Sequence, residues 1–553
     1  MTDPIPTSYH QVLQRNQAEL QTSIDHGVVK PLFASILLLC TCLPLSALLV
    51  PRRKGSQYVR PAIFVLVVGI AIDIIKRRRT NLGANGYMVG LITAWWVFWC
   101  GTLLVFNDVE RHFKRIERRT TTVACNVGES EHTQLNGYEM TGDNHEISKD
   151  HRISSSNSRQ FRGSAASQAR SHAADSSFKQ PSHQGEILTW QTYPQPFLHR
   201  LNWALGLLFN LRGPEWNWRI STLGPFPEPV NVQLNQHHLD EPYGPKGAGY
   251  PSPKARLTAA CLTYLKSYLC LDVAKCVMMR DPYFWGVVSP SPPPPFPFDF
   301  LTGLPVLVRL YRLHVTAFGM ISSMVYICSL NPITFLGLSL AFPKASRSLT
   351  DVPLDAPWLY SGAFGPFVVS VLDHGLAGCW GQWWHQLFRF GFTSPARWLL
   401  SLLPAKLASN SHFRRIAMAL IAFLISGTLH ACGSYTQNAD TKPLSGAFLY
   451  FVVQAAGVMI QSIFSKTVVP KIYHGEVPRW LRRAANFVFA YVWLMSSGSL
   501  IADDFARGGV WLTEPIPVSP FRGLRGEGWW CWHGSWFRHF NGGSWWQSGV
   551  QVL

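Results

Sequence analysis

An apolar run, Ile416–Leu429, ends in His430, and this run most constrains what the chain can fold into. Two arginines, Arg414 and Arg415, come just before it and mark a polar boundary. At about 1.5 Å rise per residue, a helix places His430 roughly 20 Å beyond that boundary. The hydrocarbon core of a bilayer is about 30 Å thick, so the sequence predicts an imidazole inside the membrane. Ionisable groups at that depth are costly, which marks His430 as a candidate functional residue.

The composition also indicates a membrane protein. Hydrophobic residues make up 47% of the 553 residues and aromatic residues 13%, including 22 Trp, whereas charged residues make up only 14%. Because Trp and Tyr collect at bilayer interfaces, this combination is typical of the membrane class. The net charge of +18 includes Arg and Lys clusters that flank apolar segments, and no nucleic-acid recognition motif accompanies it. We therefore expect the lipid bilayer, and no nucleic acid, as a partner.

The 11 cysteines are scattered, several of them inside apolar runs. Their spacing matches neither a zinc site nor a secreted disulfide framework, so we expect no metal ion. Residues 1–27 are polar and mixed in charge. No cleavable signal peptide is evident there, and the first apolar segment, Val28–Val50, is expected to be retained as a membrane span.

Alternating apolar and polar stretches predict a regional organisation. We expect a polar N-terminal tail (1–27), N-terminal transmembrane helices (28–110), a disordered polar loop (111–190), a membrane domain (191–535) and a C-terminal tail (536–553). The loop has few large apolar residues and cannot offset its chain entropy by burial. The predicted fold is all-α and polytopic, with about seven to nine membrane-spanning or re-entrant helices, several of them short or broken and able to line a cavity. The expected apolar segments include 28–50, 62–75, 87–106, 306–340, 416–430, 447–464 and 487–501.

His430 is suited to proton transfer. Burial disfavours the imidazolium, so the ring is expected to be neutral and able to take a proton from a hydroxyl group. Ser426 precedes it by four residues and shares its helix face, either to hydrogen-bond with it or to line the same wall. A structural histidine bonded to a neighbouring helix is the alternative. A Ser–His nucleophile pair is a third interpretation, although the sequence has no nucleophile elbow.

A second histidine lies in the segment Trp380-Gly-Gln-Trp-Trp-His-Gln-Leu-Phe-Arg389. His385 has Trp380 and Trp384 beside it, and Arg389 follows one helical turn later. An interfacial aromatic belt that contains a histidine is the alternative. The arginines of this region can meet the phosphates of a nucleotide-like donor or anchor helices at the interface. Further ionisable residues are expected to be structural: Asp272, Asp373 and His374.

These residues resemble a known family. The segment from Trp380 to Arg389 resembles the WGxxWHQLFR-type box of wax-synthase-like membrane-bound O-acyltransferases, and Ser426-Gly-Thr-Leu-His430 resembles their second signature. The resemblance runs from about residue 195 to 535. Residues 378–379 depart from it, with Gly-Cys where the box often begins Asp-Phe. Flanking segments are also similar to fungal members: Arg212-Gly-Pro-Glu-Trp216, Asp281-Pro-Tyr-Phe284 and Gly508-Gly-Val-Trp-Leu-Thr-Glu-Pro515.

The resemblance implies a multi-helix acyltransferase that moves an acyl group from coenzyme A to an alcohol. It implies two catalytic residues. His430 would be the general base that deprotonates the acceptor hydroxyl, and His385 would bind or polarise the acyl donor. Residues expected to bind substrate or donor are Trp380, Trp384, Arg389 and Ser426.

Fungal members of this family often acetylate terpenoid or meroterpenoid alcohols in secondary metabolism. We therefore expect acetyl-CoA as co-substrate, a lipophilic alcohol as acceptor and no permanently bound cofactor, in a multi-pass protein of the endoplasmic reticulum. One alternative is a wax-ester synthase that uses long-chain acyl-CoA and a fatty alcohol. Another is a non-enzymatic transporter whose intramembrane ionisable groups form a pathway, although the sequence shows none of the internal repeats common in transporters.

Overall fold

The computed structural model describes residues 8–53, 56–122, 184–235, 251–532 and 534–553, and it is mostly helical. The longer helices are Tyr9–Asp25, Ala34–Leu49, Val59–Arg77, Tyr87–Gly101, Phe197–Leu208, Glu228–Asn235, Pro253–Met278, Pro305–Asn331, Arg389–Ser401, Ser411–Tyr435, Leu449–Ile463, Arg479–Ser497 and Ser499–Arg507. Shorter helices and helical turns are Leu82–Asn85, Thr102–Phe106, Val109–His112, Ser221–Leu223, Pro282–Trp285, Asp299–Leu301, Pro332–Leu336, Gly337–Ala341, Pro343–Leu349, Pro357–Leu359, Val368–Leu372, Asp373–Gly378, Cys379–Trp383, Ala405–Ala408, Pro443–Phe448, Phe464–Val468, Val469–Ile472, Val510–Leu512, Pro520–Leu524 and Trp545–Gln547.

Several of these helices suit a membrane. Within the described ranges, five continuous helical stretches are long and apolar enough to cross one: Tyr87–Phe106, Pro305–Ala341, Ser411–Tyr435, Pro443–Ile472 and Arg479–Arg507. The predicted span 28–50 is instead a short strand followed by the 16-residue apolar helix Ala34–Leu49. The predicted total of seven to nine membrane segments therefore stays a prediction.

The fold also contains two small β-sheets, so it is mostly helical and not all-α as predicted. In the first, β3 (Arg115–Thr122) pairs antiparallel with β4 (Gln184–Gln191) along its whole length. The pairing buries Ile116 and Leu188, which are at most 1% exposed, and this burial gives the strands an apolar face. The predicted disordered loop 111–190 is therefore wrong at both of its ends. Its residues 123–183 lie outside the described part of the chain.

The second sheet joins the predicted C-terminal tail to the region predicted as N-terminal transmembrane helices. Its strand order is β2 (Arg78–Arg79), β1 (Lys30–Phe33), β6 (Gly549–Val552) and β5 (Phe537–Phe540). Leu32 lies opposite Val552, and both side chains are buried. The predicted N-terminal tail contains the helix Tyr9–Asp25, which Ser8 caps through its hydroxyl. Both predicted tails thus carry regular structure, a helix in the N-terminal one and two strands in the C-terminal one.

The interior contains two aromatic-rich clusters. The first surrounds Trp99, Trp203 and Trp216, which are all fully buried. The second contains Tyr87, Phe451, Phe505 and Trp511. On the outer faces of the spans, large apolar side chains remain exposed, as lipid-facing positions require; examples are Leu424, Ile460, Ile463, Val488 and Val492.

Candidate active site

His430 lies in the last two turns of the helix Ser411–Tyr435, and its ring meets a tyrosine hydroxyl. His430 Nδ1 and Tyr87 Oη are 2.5 Å apart. Tyr87 is the first residue of the helix Tyr87–Gly101. Tyr87 is not among the site residues predicted from the sequence, because a tyrosine in an aromatic-rich span carries no signal that pairs it with a distant histidine.

The two helices that carry these side chains approach closely because glycines line their contact. A Cβ atom on Gly90 would lie 2.0 Å from the Cys432 carbonyl oxygen, and one on Gly433 would lie 2.9 Å from the Tyr87 ring. Thr436 Oγ1 closes the contact by accepting a hydrogen bond from the Gly90 N–H at 3.0 Å. Small residues let helix backbones meet in this way in membranes. The close approach brings the Tyr87 hydroxyl within reach of His430.

A left-handed turn directly precedes Tyr87. All four residues of the 83–86 turn have positive φ, and two of them, Ala84 (61°) and Asn85 (54°), carry side chains. Such conformations cost on the order of 1–3 kcal/mol each and persist only where the surroundings fix them. Here Asn85 Nδ2 donates a hydrogen bond to the Gly508 carbonyl at 2.8 Å. The turn therefore aims the start of the helix, and with it Tyr87, at His430.

Aromatic rings enclose the imidazole of His430. Phe451 stacks on it with a centroid distance of 4.5 Å and an interplanar angle of 22°. Phe505 lies 6.5 Å from the imidazole and packs edge-on against Tyr87 at 5.1 Å. Phe451 and Phe505 are each 5% exposed, whereas His430 keeps an intermediate exposure. The imidazole therefore keeps some exposure although aromatic rings pack against it.

The other histidine box folds into a wide helical turn, Cys379–Trp383, followed by an extended Trp384. Gln386 Nε2 donates to the carbonyls of Trp380 at 3.0 Å and Trp384 at 2.6 Å. Gln386 Oε1 accepts a hydrogen bond from Arg389 at 2.8 Å, and Arg389 also donates to a carbonyl of the box. Two side chains of the box thus fix its own backbone.

His385 follows Trp384 and has an unused nitrogen. Its Nδ1 atom is buried and has no hydrogen-bond partner among the described residues. The ring lies 5.1 Å from the Trp384 ring and 5.8 Å from Phe388. Burial lowers the pKa of His385 from 6.5 to about 4, so the ring is neutral at physiological pH. A neutral imidazole with one unused nitrogen can form one hydrogen bond with a ligand.

Trp380 connects the two histidines. Its ring lies 6.0 Å from Phe451, which stacks on His430, and 5.8 Å from Trp384, which neighbours His385. The structure thus brings both predicted histidines and both predicted tryptophans into one aromatic group. An arrangement of this kind offers a base, a second hydrogen-bonding ring and flat apolar walls.

The two remaining predicted site residues have different surroundings. Ser426 lies one turn before His430 and, like it, has intermediate exposure. Across the described segments no hydrogen bond joins the Ser426 and His430 side chains. His430 Nδ1 pairs with Tyr87 instead. Arg389 directs Nη1 into the box, so its observed contacts hold the box, and a role in donor binding stays a prediction. Arg397 is exposed, as an interfacial anchor is.

The other ionisable candidates are occupied or exposed. Asp373 accepts two hydrogen bonds from Arg483 at 2.6 and 2.9 Å, and this guanidinium holds the pKa of Asp373 well below its usual range. Asp272 is fully buried and accepts hydrogen bonds from a serine and a backbone N–H of the 519–521 segment. His374 is exposed. Nowhere in the described ranges do three or more His, Cys, Asp or Glu side chains form a group able to hold a metal ion.

The flanking segments brace the site from outside. Arg212 donates to the carbonyls of residues 361–362 at 3.0 and 2.8 Å, just ahead of the His385 box. Asp281 is fully buried and forms a paired contact with Arg312 at 2.9 and 3.0 Å. The carbonyl of Gly508 supports the turn before Tyr87. Each flanking segment thus forms structural contacts, and the one at Gly508 reaches the site directly through this turn.

Residues 360–453 match the family model described as Membrane bound O-acyl transferase family. This segment contains His385, His430 and Phe451. The resemblance predicted from the two histidine boxes is confirmed, and together with the apolar helices it identifies an integral membrane protein.

Curated fungal proteins are also similar to this chain. O-Mevalon transferase yanI of Aspergillus niger is 29% identical over 277 residues, which is 48% of this chain and 53% of that protein. O-Mevalon transferase macI of Penicillium terrestre is 24% identical over 307 residues, 54% of this chain and 61% of that protein. Acetyltransferase fsoF of Humicola fuscoatra is 30% identical over 185 residues, 33% of this chain and 42% of that protein. The chain spans about half the length of the curated relatives it matches. No solved structure matches it.

Proposed function

We propose that this protein is a membrane-bound O-acyltransferase that moves an acetyl group from acetyl-CoA to a hydroxyl of a terpenoid or meroterpenoid. The observation that carries the proposal is the meeting of His430, paired with Tyr87 at 2.5 Å, and His385, with its unused Nδ1, in one aromatic group. The family match covers both histidines, and several relatives are named acetyltransferases.

In this proposal His430 is the general base. The acceptor oxygen attacks the thioester carbonyl carbon while His430 Nε2 takes the hydroxyl proton, so a C–O bond forms and the carbonyl oxygen becomes an oxyanion. Collapse of that intermediate breaks the C–S bond. The leaving thiolate takes the proton from His430, which releases an ester and the coenzyme A thiol. A well-placed general base contributes about 10²- to 10⁴-fold to such a rate.

His385 is assigned to the acyl donor. Its Nδ1 has no partner among the described residues, so in the Nδ1–H tautomer it can donate a hydrogen bond to the thioester carbonyl oxygen. Because burial lowers the pKa of His385 to about 4, the ring does this without bringing a full charge into the site. Trp380 and Trp384 offer flat apolar walls for a polycyclic acceptor, and Ser426 adds a hydroxyl on the His430 helix.

A second acyl group is favoured by a specific observation. The relatives from Aspergillus niger and Penicillium terrestre, which align with about half of this chain, are both named O-Mevalon transferases. Transfer of a mevalonyl group to an alcohol by the same two histidines is therefore the second candidate function. The base, the nucleophile and the bond that breaks are the same, and only the acyl group differs.

The experiment uses membranes that contain the full chain, labelled acetyl-CoA or mevalonyl-CoA, and a panel of terpenoid alcohols. We expect a product that has gained one acetyl group, and a gain of one mevalonyl group would select the second candidate. His430→Ala is expected to lose about 10²- to 10⁴-fold in rate. His412→Ala removes an exposed histidine from the same helix and is expected to keep the wild-type rate. Wild-type turnover by His430→Ala would refute the assignment of the base.

The same assay separates the remaining alternatives. A wax-ester synthase would use palmitoyl-CoA with a fatty alcohol and would ignore acetyl-CoA. A transporter would move the substrate across sealed vesicles without forming an ester. We also propose residence in the endoplasmic reticulum, which fluorescence microscopy of the tagged full chain in a fungal host tests directly.

A further inference from the structure

The contact between Tyr87 and His430 determines which ring nitrogen is free to act. A neutral imidazole has one nitrogen that carries hydrogen and one that carries a lone pair. If Tyr87 donates to Nδ1, the hydrogen of the ring sits on Nε2, which then cannot accept a proton. If Tyr87 Oη accepts from Nδ1–H, Nε2 keeps its lone pair and can act as a base. The direction of this hydrogen bond therefore decides the chemistry of His430.

The proposed role of His430 requires acceptance by the Tyr87 hydroxyl oxygen. Tyr87 Oη lies 2.5 Å from His430 Nδ1, so Nε2 is the ring nitrogen that remains for the acceptor alcohol. A base at Nε2 needs its lone pair there, which places the ring hydrogen on Nδ1. A lone pair of Tyr87 Oη then faces Nδ1, and Phe505 packs edge-on against the Tyr87 ring at 5.1 Å.

We propose that Tyr87 is a positioning residue for His430. It accepts the Nδ1–H hydrogen bond, fixes the ring plane and leaves Nε2 as the basic nitrogen. When the acceptor alcohol gives its proton to Nε2, the ring becomes an imidazolium and the Nδ1–H···Oη bond becomes charge-assisted and stronger. The proton then leaves with the thiolate, and the Tyr87 bond is unchanged. This inference rests on the proposed function, because it requires His430 to be the base.

The packing around Tyr87 suits a positioning residue. The ring of Tyr87 lies against Gly433, where an added Cβ would be 2.9 Å from it. On its other side the ring meets Phe505 edge-on. The left-handed turn 83–86 fixes the backbone just before it. Backbone, ring plane and hydroxyl are each held by a separate contact, which leaves the hydroxyl little freedom to turn away from His430.

The first test is Tyr87→Phe, which removes only the hydroxyl. The kcat is expected to fall about 10- to 100-fold, by analogy with the loss seen when the hydrogen-bond partner of a metal-ligating histidine is removed. The KM values for acyl-CoA and alcohol should stay within about twofold, because binding surfaces are untouched. The matched control is Tyr193→Phe, which removes another buried tyrosine hydroxyl, one that donates to the Leu48 carbonyl at 2.7 Å in the first aromatic cluster. The control should keep the wild-type kcat.

A double mutant tells positioning apart from general support of the fold. Since Tyr87 acts through His430, adding Tyr87→Phe to His430→Ala should cause no further loss. An equal fold-loss in both backgrounds would overturn the inference. A wild-type kcat in Tyr87→Phe beside an inactive His430→Ala would overturn this inference and leave the proposed function intact. Full activity in His430→Ala would instead overturn the base assignment itself.

A second variant covers the case in which Tyr87→Phe does not fold. Incorporation of 3,5-difluorotyrosine at position 87 keeps the ring and the hydroxyl but makes the oxygen a weaker acceptor. The kcat is expected to drop severalfold at unchanged KM, because the imidazolium loses part of its stabilisation. A purely structural tyrosine would not respond to this change in acidity, so an unchanged kcat would overturn the inference.

Discussion

The helix backbones at Gly90 and Cys432 are in direct contact, since a Cβ atom on Gly90 would lie 2.0 Å from the Cys432 carbonyl oxygen. Cys432 follows His430 by two residues, and Gly90 follows Tyr87 by three. The same contact that joins the helices therefore also sets the distance between the imidazole and the phenol. Substitutions at this contact should change chemistry and stability together.

Gly90→Ala is expected to lower both kcat and the midpoint of thermal unfolding. The added methyl group cannot fit beside a backbone carbonyl, so the helices must separate and Tyr87 moves with its helix. Overpacking of this kind costs about 1–3 kcal/mol. Activity and unfolding are measured on the same purified sample. Gly69→Ala is the control, because an added Cβ there meets no atom within 4 Å. Wild-type behaviour of Gly90→Ala would contradict the contact.

Gln386→Ala is expected to loosen the His385 box. The carbonyls of Trp380 and Trp384 lose their shared donor, which costs roughly 1–3 kcal/mol where such groups stay buried without a partner. We expect a higher KM for acyl-CoA and faster heat inactivation. Gln382→Ala, an exposed glutamine one turn earlier in the same box, should change neither quantity. If both variants behave alike, Gln386 does not hold the box.

The KM for acyl-CoA is expected to be flat between about pH 5 and 8, the range in which an ordinary histidine changes charge. Burial lowers the pKa of His385 to about 4, so this ring gains a proton only as the pH approaches 4. The unfolded chain binds that proton more readily, so stability also falls as the pH drops from 6.5 to 4. The measurement is KM against pH for the wild type and for His385→Gln. An inflection near pH 6.5 that disappears in His385→Gln would contradict the prediction.

Lys275→Met is expected to release the 508–515 segment. The buried ammonium of Lys275 donates to the carbonyls of Trp511 and Thr513, the latter at 3.0 Å, and its loss leaves both without this donor at a cost of about 1–3 kcal/mol each. Hydrogen–deuterium exchange in 508–515 should rise. Lys266→Met changes an exposed lysine on the same helix and should leave exchange unchanged. Equal exchange in the two variants would exclude an anchoring role for Lys275.

Local features of the fold could be predicted from the sequence. The span predicted over 87–106 coincides with the helical stretch Tyr87–Phe106, and the run ending in His430 lies inside Ser411–Tyr435. Each of these features depends on the apolar pattern of one continuous segment, so neighbouring residues are enough to predict it.

Pairings between distant residues could not be predicted in this way. Tyr87 contacts His430, which lies 343 positions later in the sequence. Leu32 lies opposite Val552 in a sheet that no local sequence pattern predicts. The Gly-Cys departure from the family box at 378–379 is likewise explained only by packing between segments. A Cβ atom on Gly378 would lie 1.8 Å from the Ser370 carbonyl oxygen, so close packing of the box helix requires glycine there.

The hydrogen bond from Asn85 to the Gly508 carbonyl has a consequence for biogenesis. The two residues are 423 positions apart, and Gln437 Nε2 donates to the same carbonyl at 2.6 Å. While the chain is being synthesised, both histidines emerge long before residue 508 does. Until then the left-handed turn lacks the Asn85 hydrogen bond and keeps only those that Gln437 and Thr436 donate to the carbonyls of Ala84 and Gly86. We therefore expect the turn that precedes Tyr87 to reach its final support only after residue 508 has been synthesised.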